Sequence, residues 1–289
     1  MKRNLKRAVL TGAGGQLGSE LAGTAPSGIE LIPLTRKELD LARSEDISKK
    51  ILELAPDVVI NAAAYVRVDD AEDQAEAAFQ ANALAPFHLA KACREAGAAL
   101  LHVSTDYVFD GHKHGPYTEA DTPNPINVYG ISKYAGELAL KSVLEKYHIV
   151  RVSSLYGPRG ASGKGGNFVY TILKKASDPE SPPLRVVDDI LMSPTYAPDA
   201  ALMIWKMLAD DMPYGIYHAA NAGRVSWHGF AKTIVEMAGM NKEVLPVSHT
   251  EYNTKATRPL MSALESEKGT MLRPWQEGLA DFLKAIPPS

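Results

Sequence analysis

The sequence predicts an α/β fold in which helices cover both faces of a doubly wound parallel sheet. Three observations lead to this prediction. Short apolar runs with strand character alternate with helical patterns as far as about Val152. A glycine-rich turn directly follows the first apolar run, and loops rich in glycine and proline separate shorter elements from about Ser153 onward. Such alternation is typical of parallel sheets, and the later change in pattern indicates a smaller C-terminal domain.

The first strand, Arg7 to Leu10, leads into the sequence TGAGGQLG, in which Gln16 and Leu17 begin a helix. Glycines recur there at every third position, namely Gly12, Gly15 and Gly18. Glycines at this spacing permit a tight turn, allow the backbone to approach a pyrophosphate and let the helix pack closely on the sheet. The positive end of the helix then faces the phosphates. The turn therefore predicts a Rossmann-like site for a dinucleotide cofactor.

The second strand, Glu30 to Leu34, ends where the adenosine ribose of a dinucleotide is expected. An acidic residue at this point accepts a hydrogen bond from the ribose 2′-hydroxyl in NAD sites. This chain instead has Thr35, Arg36 and Lys37. A guanidinium such as that of Arg36 forms charge-assisted hydrogen bonds with a phosphate. We therefore expect NADPH as the cofactor, with NADH as the alternative.

The remaining elements of the first half follow the same alternation. The patterns predict a helix from about Glu45 to Ala55, a strand at Val58 to Asn61, a helical region from Ala71 to Gly97, and strands at Ala98 to Ser104 and His148 to Val152. Ligands of such sheets bind beyond the carboxyl ends of the strands. The residues just past those ends are therefore expected to line one cleft: Gly12, Arg36, Ala62, Thr105 and Ser154.

Tyr129 and Lys133 are four residues apart in a helical pattern, so their side chains share one face of the helix. Thr105 lies at the end of the preceding apolar strand. A cation beside a tyrosine favours the phenolate and lowers the pKa of the phenol from its ordinary value near ~10. A hydroxyl, such a phenol and a lysine are the groups needed to move a proton on or off the oxygen of a carbonyl or alcohol. These three residues therefore predict the catalytic centre of an enzyme.

The same spacing occurs a second time, at Tyr170 and Lys174. The segment around that pair, Asn167 to Ala176, has an ordinary amphipathic pattern and follows no strand-end hydroxyl. Tyr129, in contrast, comes soon after Asn127, a residue type that favours the N-cap of a helix. We therefore assign the chemistry to Tyr129.

We expect residues 1–152 to form the dinucleotide-binding domain. Residues 153–289 are expected to form mainly a substrate-binding domain, with segments that cross back to the first. The length of 289 residues is sufficient for two domains with substantial cores.

Composition and charge exclude several other classes of protein. The net charge of −3 and pI of about 6.3 do not indicate binding to nucleic acid or to an anionic membrane. The apolar run after the basic start is too short for a signal peptide, and no stretch approaches membrane-spanning length. A single cysteine, Cys93, precludes an internal disulfide, which favours the cytoplasm. His112 and His114 lack further ligands at suitable spacing, so no metal site is expected. The chain is expected to be a monomer or homodimer.

Between Ala8 and about Leu279 the chain contains a series of characteristic strings, among them TGAGGQLG, DVVINAAAY, VDDAE, STDYVFDG, NVYGISKYAGE, GGNF, SPTYAPD and GIYHAAN. In these strings and in their order, the chain resembles the dTDP-4-dehydrorhamnose reductase family of extended short-chain dehydrogenases/reductases. This resemblance implies reduction of the 4-keto group of a dTDP-4-dehydro-6-deoxyhexose, with dTDP-L-rhamnose as the expected product. Tyr129 would supply the proton, Lys133 would hold the nicotinamide ribose, and Thr105 would bind the sugar oxygen.

The same resemblance implies two sets of binding residues. The cofactor would contact Gly12, Gly15, Gln16, Leu17, Arg36, Asp40, Leu41, Ala62, Ala63, Ala64, Tyr65, Asn82, Tyr129 and Lys133, with Asp40 and Leu41 beside the adenine. The dTDP-linked sugar would contact Thr105, Asp106, Ser154, Asn167, Phe168, Thr195 and Arg258. Arg258 is also compatible with an ordinary surface ion pair.

The sequence departs from the family pattern at the sugar end. Many members have a tryptophan where this chain has Ser154, and Arg67 and Asp70 also replace the residues usual in the family. Loss of a large aromatic side chain opens the pocket and removes apolar contact. Two alternatives therefore stay open: a reductase of a different nucleotide-linked 4-ketosugar, and a non-catalytic NADP-binding regulatory subunit with the same fold.

Overall fold

The computed structural model describes residues 5–159 and 166–286. Its strands are β1 (Arg7–Thr11), β2 (Glu30–Leu34), β3 (Val58–Asn61), β4 (Ala99–Thr105), β5 (Tyr147–Val152), β6 (Leu155–Tyr156), β7 (Leu184–Val187), β8 (Leu191–Met192), β9 (Thr195–Tyr196), β10 (Gly215–His218), β11 (Asn221–Ala222), β12 (Val225–Ser226), β13 (Val244–Val247) and β14 (Leu272–Pro274). Its α-helices are α1 (Gln16–Gly23), α2 (Ser44–Leu54), α3 (Val68–Asp73), α4 (Ala75–Phe79), α5 (Ala85–Ala96), α6 (Val128–Lys141), α7 (Phe168–Ala176), α8 (Ala197–Ala209), α9 (Trp227–Met237) and α10 (Trp275–Ala285). Short 3-10 turns span Asp106–Val108 and His249–Glu251.

Six parallel strands form the central sheet in the order β10-β5-β4-β3-β1-β2. The chain moves outward from β1 to β2 and then returns to place β3 on the other side of β1. This reversal is a topological switch point, and it opens a crevice between the carboxyl ends of β1 and β3. The fold class expected from the sequence, a doubly wound parallel sheet, is confirmed.

Each face of the sheet has its own apolar core. On one face, Leu17 and Leu21 of α1 pack with Ile204 and Trp205 of α8 against the sheet. On the other face, α2, α5 and α6 cover strand residues such as Val9. The β-strands are apolar on both sides because both sides are covered, as is typical of parallel sheets.

The helical region between β3 and β4 is interrupted by a π-helix, Gln80–Leu84, that joins α4 to α5. Short π-helical segments are rare and often occur at functional sites. Here the segment carries the fully buried Asn82, and the carbonyl oxygen of that residue faces Gly136 of α6 at a position where a Cβ would collide with it. Close contact between the π-helix and α6 therefore depends on glycine.

The smaller lobe is built from α7, α9, α10 and two-stranded pairings such as β7 with β13. Aromatic side chains fill its core: the ring centroids of Tyr156 and Phe230 are 5.5 Å apart, and those of Phe230 and Trp275 are also 5.5 Å apart. Among the described residues, no helix is both long and apolar enough to cross a membrane.

Two elements from the second half of the chain belong to the first lobe. Strand β10 extends the central sheet by pairing with β5, and α8 packs against α1. The indole Nε1 of Trp205 donates a hydrogen bond to the carbonyl oxygen of Leu21 at 3.0 Å. The chain therefore enters the smaller lobe, returns to complete the sheet, and leaves again.

Candidate active site

The glycine-rich turn lies at the crevice between β1 and β3. Gly12 has φ +74°, and a Cβ on it would lie 2.5 Å from the backbone nitrogen of Ala63. A Cβ on Gly18 would collide with the carbonyl oxygen of Gly12. Gly15 is the N-cap of α1, so the N–H groups of the first turn, at Gln16 and Leu17, have no acceptor within the helix. The turn thus has the close packing and exposed donors that a pyrophosphate requires.

The wall opposite the turn is formed by Ala62, Ala63, Ala64 and Tyr65, which follow β3. The side-chain amide of Asn82 holds this segment in place: its Oδ1 accepts from Tyr65 N at 2.9 Å and its Nδ2 donates to Tyr65 O at 3.1 Å. Asn82 is therefore placed to shape the backbone of the wall, and its polar atoms are engaged within the protein.

Arg36 lies just beyond β2, with its side chain 86% exposed and its Nε 3.7 Å from the carboxylate of Asp40. The neighbouring strand end is tied to the glycine turn, because Ala13 N donates to Leu34 O. The guanidinium is free to turn toward a ligand, whereas the side chain of Leu41 packs against the core under α2. The three predicted adenosine-side residues thus lie together at the β2 edge of the crevice.

The catalytic candidates are brought together at the carboxyl end of β4. Asn127 accepts from Gly130 N at 2.8 Å and so caps α6, which places Tyr129 on the first turn of the helix. The Tyr129 side chain hydrogen-bonds with the Thr105 side chain, and the Thr105 hydroxyl donates to Asp106 Oδ1 at 3.0 Å. A phenol, a hydroxyl and a carboxyl group therefore form one connected chain.

Burial raises the pKa of Tyr129 to about 12; the bond to Thr105 lowers it, and the charge of Asp106 raises it. The sequence-based expectation of a lowered pKa for this phenol is therefore wrong for the protein without cofactor. The main reason is the burial of the phenol. The Lys133 amine donates a hydrogen bond to the carbonyl oxygen of Val103 at 2.7 Å. Burial lowers the pKa of Lys133 to about 8, and Glu137 raises it in part.

The Asp106 carboxyl is buried next to the Thr105 hydroxyl. It accepts a hydrogen bond from Ser153 Oγ at 2.9 Å and another from Ser262. Burial raises the pKa of the Asp106 carboxyl to about 6, while the hydrogen bonds from Ser262, Ser153 and Thr105 lower it. The carboxyl group thus links β4, β5 and the C-terminal part of the chain immediately behind Thr105.

Three of the predicted substrate residues, Asn167, Ser154 and Thr195, form hydrogen bonds within the protein. Asn167 caps α7 and donates to Gly157 O at 2.8 Å and to Gln16 Oε1 at 3.3 Å, so it bridges the lobe to the glycine turn. Ser154 has φ +44°, an unusual backbone conformation for a residue with a side chain, and its carbonyl oxygen accepts from Thr195 N. Thr195 itself is fully buried, and its hydroxyl donates to Ser193 O.

A cavity of ≈ 910 Å³ opens on the smaller lobe. It is lined by Phe168, Trp227, Lys175, Arg185 and Arg258, among others, whereas Thr105, Tyr129 and Lys133 are not among its lining residues. The rings of Phe168 and Trp227 meet edge to face with centroids 4.7 Å apart. The cavity therefore combines aromatic surface with positively charged side chains.

Arg258 is held by an ion pair with the first lobe. Its Nη1 and Nη2 donate to the two carboxylate oxygens of Asp69 on α3, at 3.0 and 2.8 Å. The bonds from Arg258 lower the pKa of the Asp69 carboxyl, and the ion pair raises the pKa of Arg258. An ion pair was the alternative that the sequence left open for Arg258, and it fixes the guanidinium at the edge of the cavity.

Several residues around the site were not anticipated from the sequence. Asn61 and His102 are fully buried in strands with an apolar sequence pattern. His102 lies 3.5 Å from the Lys133 amine, and Asn61 contacts His102. Arg151 and Glu137 form a buried ion pair behind β4. The signal available in the sequence was a polar residue within or at the end of each apolar run.

The parallel sheet, the glycine turn and the Thr105, Tyr129 and Lys133 set define an enzyme of the extended short-chain dehydrogenase/reductase class. A family model described as the RmlD substrate binding domain matches residues 6–287. The chain therefore belongs to the dTDP-4-dehydrorhamnose reductase family.

Relatives in this family match over nearly their whole length. The chain is 39% identical over 291 residues to a dTDP-4-dehydrorhamnose reductase of Mycobacterium tuberculosis, covering 97% of this chain and 93% of that protein. It is 37% identical over 285 residues to the spore coat polysaccharide biosynthesis protein SpsK of Bacillus subtilis, covering 97% and 98%. The structure of a dTDP-4-dehydrorhamnose reductase from Bacillus anthracis in complex with NADP is similar, with a TM-score of 0.91, 38% identity and coverage of 99% and 100%.

Proposed function

We propose that the protein is an NADPH-dependent reductase that converts the 4-keto group of dTDP-4-dehydrorhamnose to the alcohol of dTDP-L-rhamnose. The observation that carries the proposal is the assembly of Thr105, Tyr129 and Lys133 at the sheet edge that also carries the glycine turn. The relatives named as dTDP-4-dehydrorhamnose reductases, one of them in complex with NADP, support both the reaction and the cofactor.

The cofactor site fits a dinucleotide because Gly12 and Gly18 leave no room for side chains where the backbone must come close. Gln16 and Leu17 would donate backbone N–H groups to the pyrophosphate, and Arg36 would bind the 2′-phosphate. When bound, NADPH supplies the hydride for the sugar carbon. We infer that residues 1–152 form most of this cofactor domain and that residues 153–289 contribute mainly the substrate domain.

In the reaction, Tyr129 gives its phenolic proton to the carbonyl oxygen of the sugar, and Thr105 hydrogen-bonds the same oxygen. The Tyr129 phenol is protonated at neutral pH because burial raises its pKa to about 12, so it is ready to act as an acid. Lys133 then stabilises the phenolate by its positive charge. In the free protein, Asp106 accepts a hydrogen bond from the Thr105 hydroxyl and so holds that side chain in position.

The cavity on the smaller lobe would hold the nucleotide part of the substrate. Phe168 and Trp227 offer aromatic surface for a base, and Lys175, Arg185 and Arg258 supply positive charge for a diphosphate. Ser154, with its small side chain, leaves room beside the sugar, so related 4-ketosugars also fit this proposal. We further propose a cytoplasmic enzyme that acts as a monomer or homodimer.

The test is NADPH oxidation, followed by absorbance, with a panel of dTDP-linked 4-ketosugars and with the wild type, Tyr129→Phe and Tyr170→Phe. Tyr170 is the matched control, since it has the same spacing to a lysine but donates its hydroxyl to Pro158 O at 2.6 Å. We expect Tyr129→Phe to lose turnover while it still binds NADPH, and Tyr170→Phe to keep turnover. Absence of turnover on every ketosugar by the wild type would refute the reductase and favour a regulatory subunit.

A further inference from the structure

A buried row of polar side chains runs across the sheet toward Lys133. The strand register places Thr11 beside Asn61 and Asn61 beside His102, on three neighbouring strands. All of these side chains, and Lys133, are at most 2% exposed. Polar groups buried to this extent must satisfy one another, so the direction of each hydrogen bond is constrained.

The amide of Asn61 has one possible orientation. Its Oδ1 lies 3.2 Å from the backbone nitrogen of Ala63 and 2.8 Å from Thr11 Oγ1. A backbone N–H can only donate, so the oxygen of the amide must face Ala63. The Nδ2 group of Asn61, which has only hydrogens to offer, therefore faces Nδ1 of His102 at 3.0 Å.

This orientation determines the tautomer of His102. Because Nδ1 accepts from Asn61, the ring proton must lie on Nε2, which is 3.5 Å from Lys133 Nζ. A neutral lysine amine has a lone pair that can accept a hydrogen bond from this N–H group, whereas an ammonium has none. Burial also lowers the pKa of His102 well below its ordinary value, so the ring is neutral.

We propose that Asn61 and His102 are positioning residues that control the protonation state of Lys133, because Asn61 imposes the Nε2–H tautomer and that tautomer favours the neutral amine. Other groups near Lys133 act differently. Val103 O accepts from Nζ in either state, and Glu137 on α6 favours the ammonium, although its charge is shared with the Arg151 guanidinium.

The proposal rests on the proposed function only for its kinetic consequence. Tyr129 returns to its protonated form in every turnover, and a nearby lysine that exchanges its proton near neutral pH assists this return. With Lys133 titrating near a pKa of about 8 and Tyr129 near about 12, the alkaline limb of kcat/KM reports Lys133.

Nitrogen-15 NMR of the histidine-labelled free protein tests the tautomer without substrate. Two other buried histidines are internal references: His148 Nε2 faces Met212 O at 3.0 Å, which requires Nε2–H, and His218 Nδ1 faces Glu265 O at 2.9 Å, which requires Nδ1–H. The ring-nitrogen signals that are missing from the spectrum of His102→Gln belong to His102. We expect these signals to show the Nε2–H form, as for His148. Signals of the Nδ1–H form, as for His218, or of a doubly protonated ring overturn the proposal.

The kinetic arm uses Asn61→Asp. An aspartate accepts from His102 Nδ1, moves the ring proton there and leaves Nε2 to accept from the Lys133 ammonium. We expect the alkaline limb to move up by about one pH unit or more. Thr11→Val is the control, since it removes a partner of Asn61 Oδ1 but leaves the amide beside the imidazole, and we expect its limb to stay in place.

The proposal is contradicted if the alkaline limb of the kcat/KM profile does not move in Asn61→Asp, or if it moves equally in Thr11→Val. If Asn61→Asp does not fold, the tautomer measured in the wild type decides. If the wild type reduces no ketosugar, the proposed function fails, yet the NMR result still decides whether Asn61 sets the tautomer of His102.

Discussion

Removal of Arg151 is expected to destabilise the protein strongly. Its guanidinium binds the Glu137 carboxylate through two hydrogen bonds, of 3.0 and 2.7 Å, and both side chains are 1% exposed. Ser104 Oγ donates to the same carboxylate at 2.5 Å, and the guanidinium lies over the ring of Phe109. Arg151→Met leaves a carboxylate buried without a counter-charge, which costs about 3–5 kcal/mol in the free energy of unfolding. At about 2–4 °C per kcal/mol, we expect Tm to fall by about 6–20 °C.

The assay is thermal unfolding followed by circular dichroism and calorimetry. The double variant Arg151→Met/Glu137→Leu removes both charges, and we expect it to regain most of the lost stability. Arg7→Met is the control: its partner Glu30 is at a similar distance, 2.8 Å, but that pair is solvent-exposed, so a loss of at most about 1 kcal/mol is expected. A fall of Tm in Arg151→Met no larger than in Arg7→Met would refute the reasoning.

Three further predictions concern cofactor, substrate and pH. Arg36→Ala should weaken NADPH binding about tenfold and leave NADH binding unchanged, as measured by fluorescence titration, because only NADPH carries the 2′-phosphate. Asp69→Asn should raise KM for the nucleotide sugar severalfold with little change in kcat, since Arg258 loses its orienting partner; the exposed Asp73, changed to Asn, should have no such effect. Burial raises the carboxyl pKa of Asp106 from 3.8 to about 6. The wild type should therefore lose about 2.5 kcal/mol of stability relative to Asp106→Asn as pH rises from about 4 to 7, because the unfolded state releases its proton first. If the free energy of unfolding, measured with denaturant, changes equally with pH in both proteins, this prediction is contradicted.

Local patterns were enough to predict the framework of the site. The glycine turn, the strand ends and the Tyr129 helix each depend on residues close together in the sequence, so periodicity and turn chemistry reveal them. Parallel sheets then bring the strand ends to one edge, which gives the neighbourhood of Thr105 without any knowledge of long-range contacts.

Long-range partners were beyond the reach of these patterns. Arg258 and Asp69 are separated by 189 positions, and Asn61 and His102 by 41. The pKa of Tyr129 was misjudged for the same reason: the sequence shows that Lys133 is one turn away, but not that Val103 O takes its ammonium or how deeply the phenol is buried. Solvation and partner choice depend on the packed fold, and both decide a pKa.

The way in which β10 and α8 return to the first lobe has a consequence for synthesis on the ribosome. When the chain has emerged only as far as β5, one edge of the sheet is open and the apolar surface of α1 around Leu21 is uncovered. The nucleotide-binding half therefore cannot reach its final state until His218 has left the exit tunnel, so a nascent chain paused before that point should be a target for chaperones.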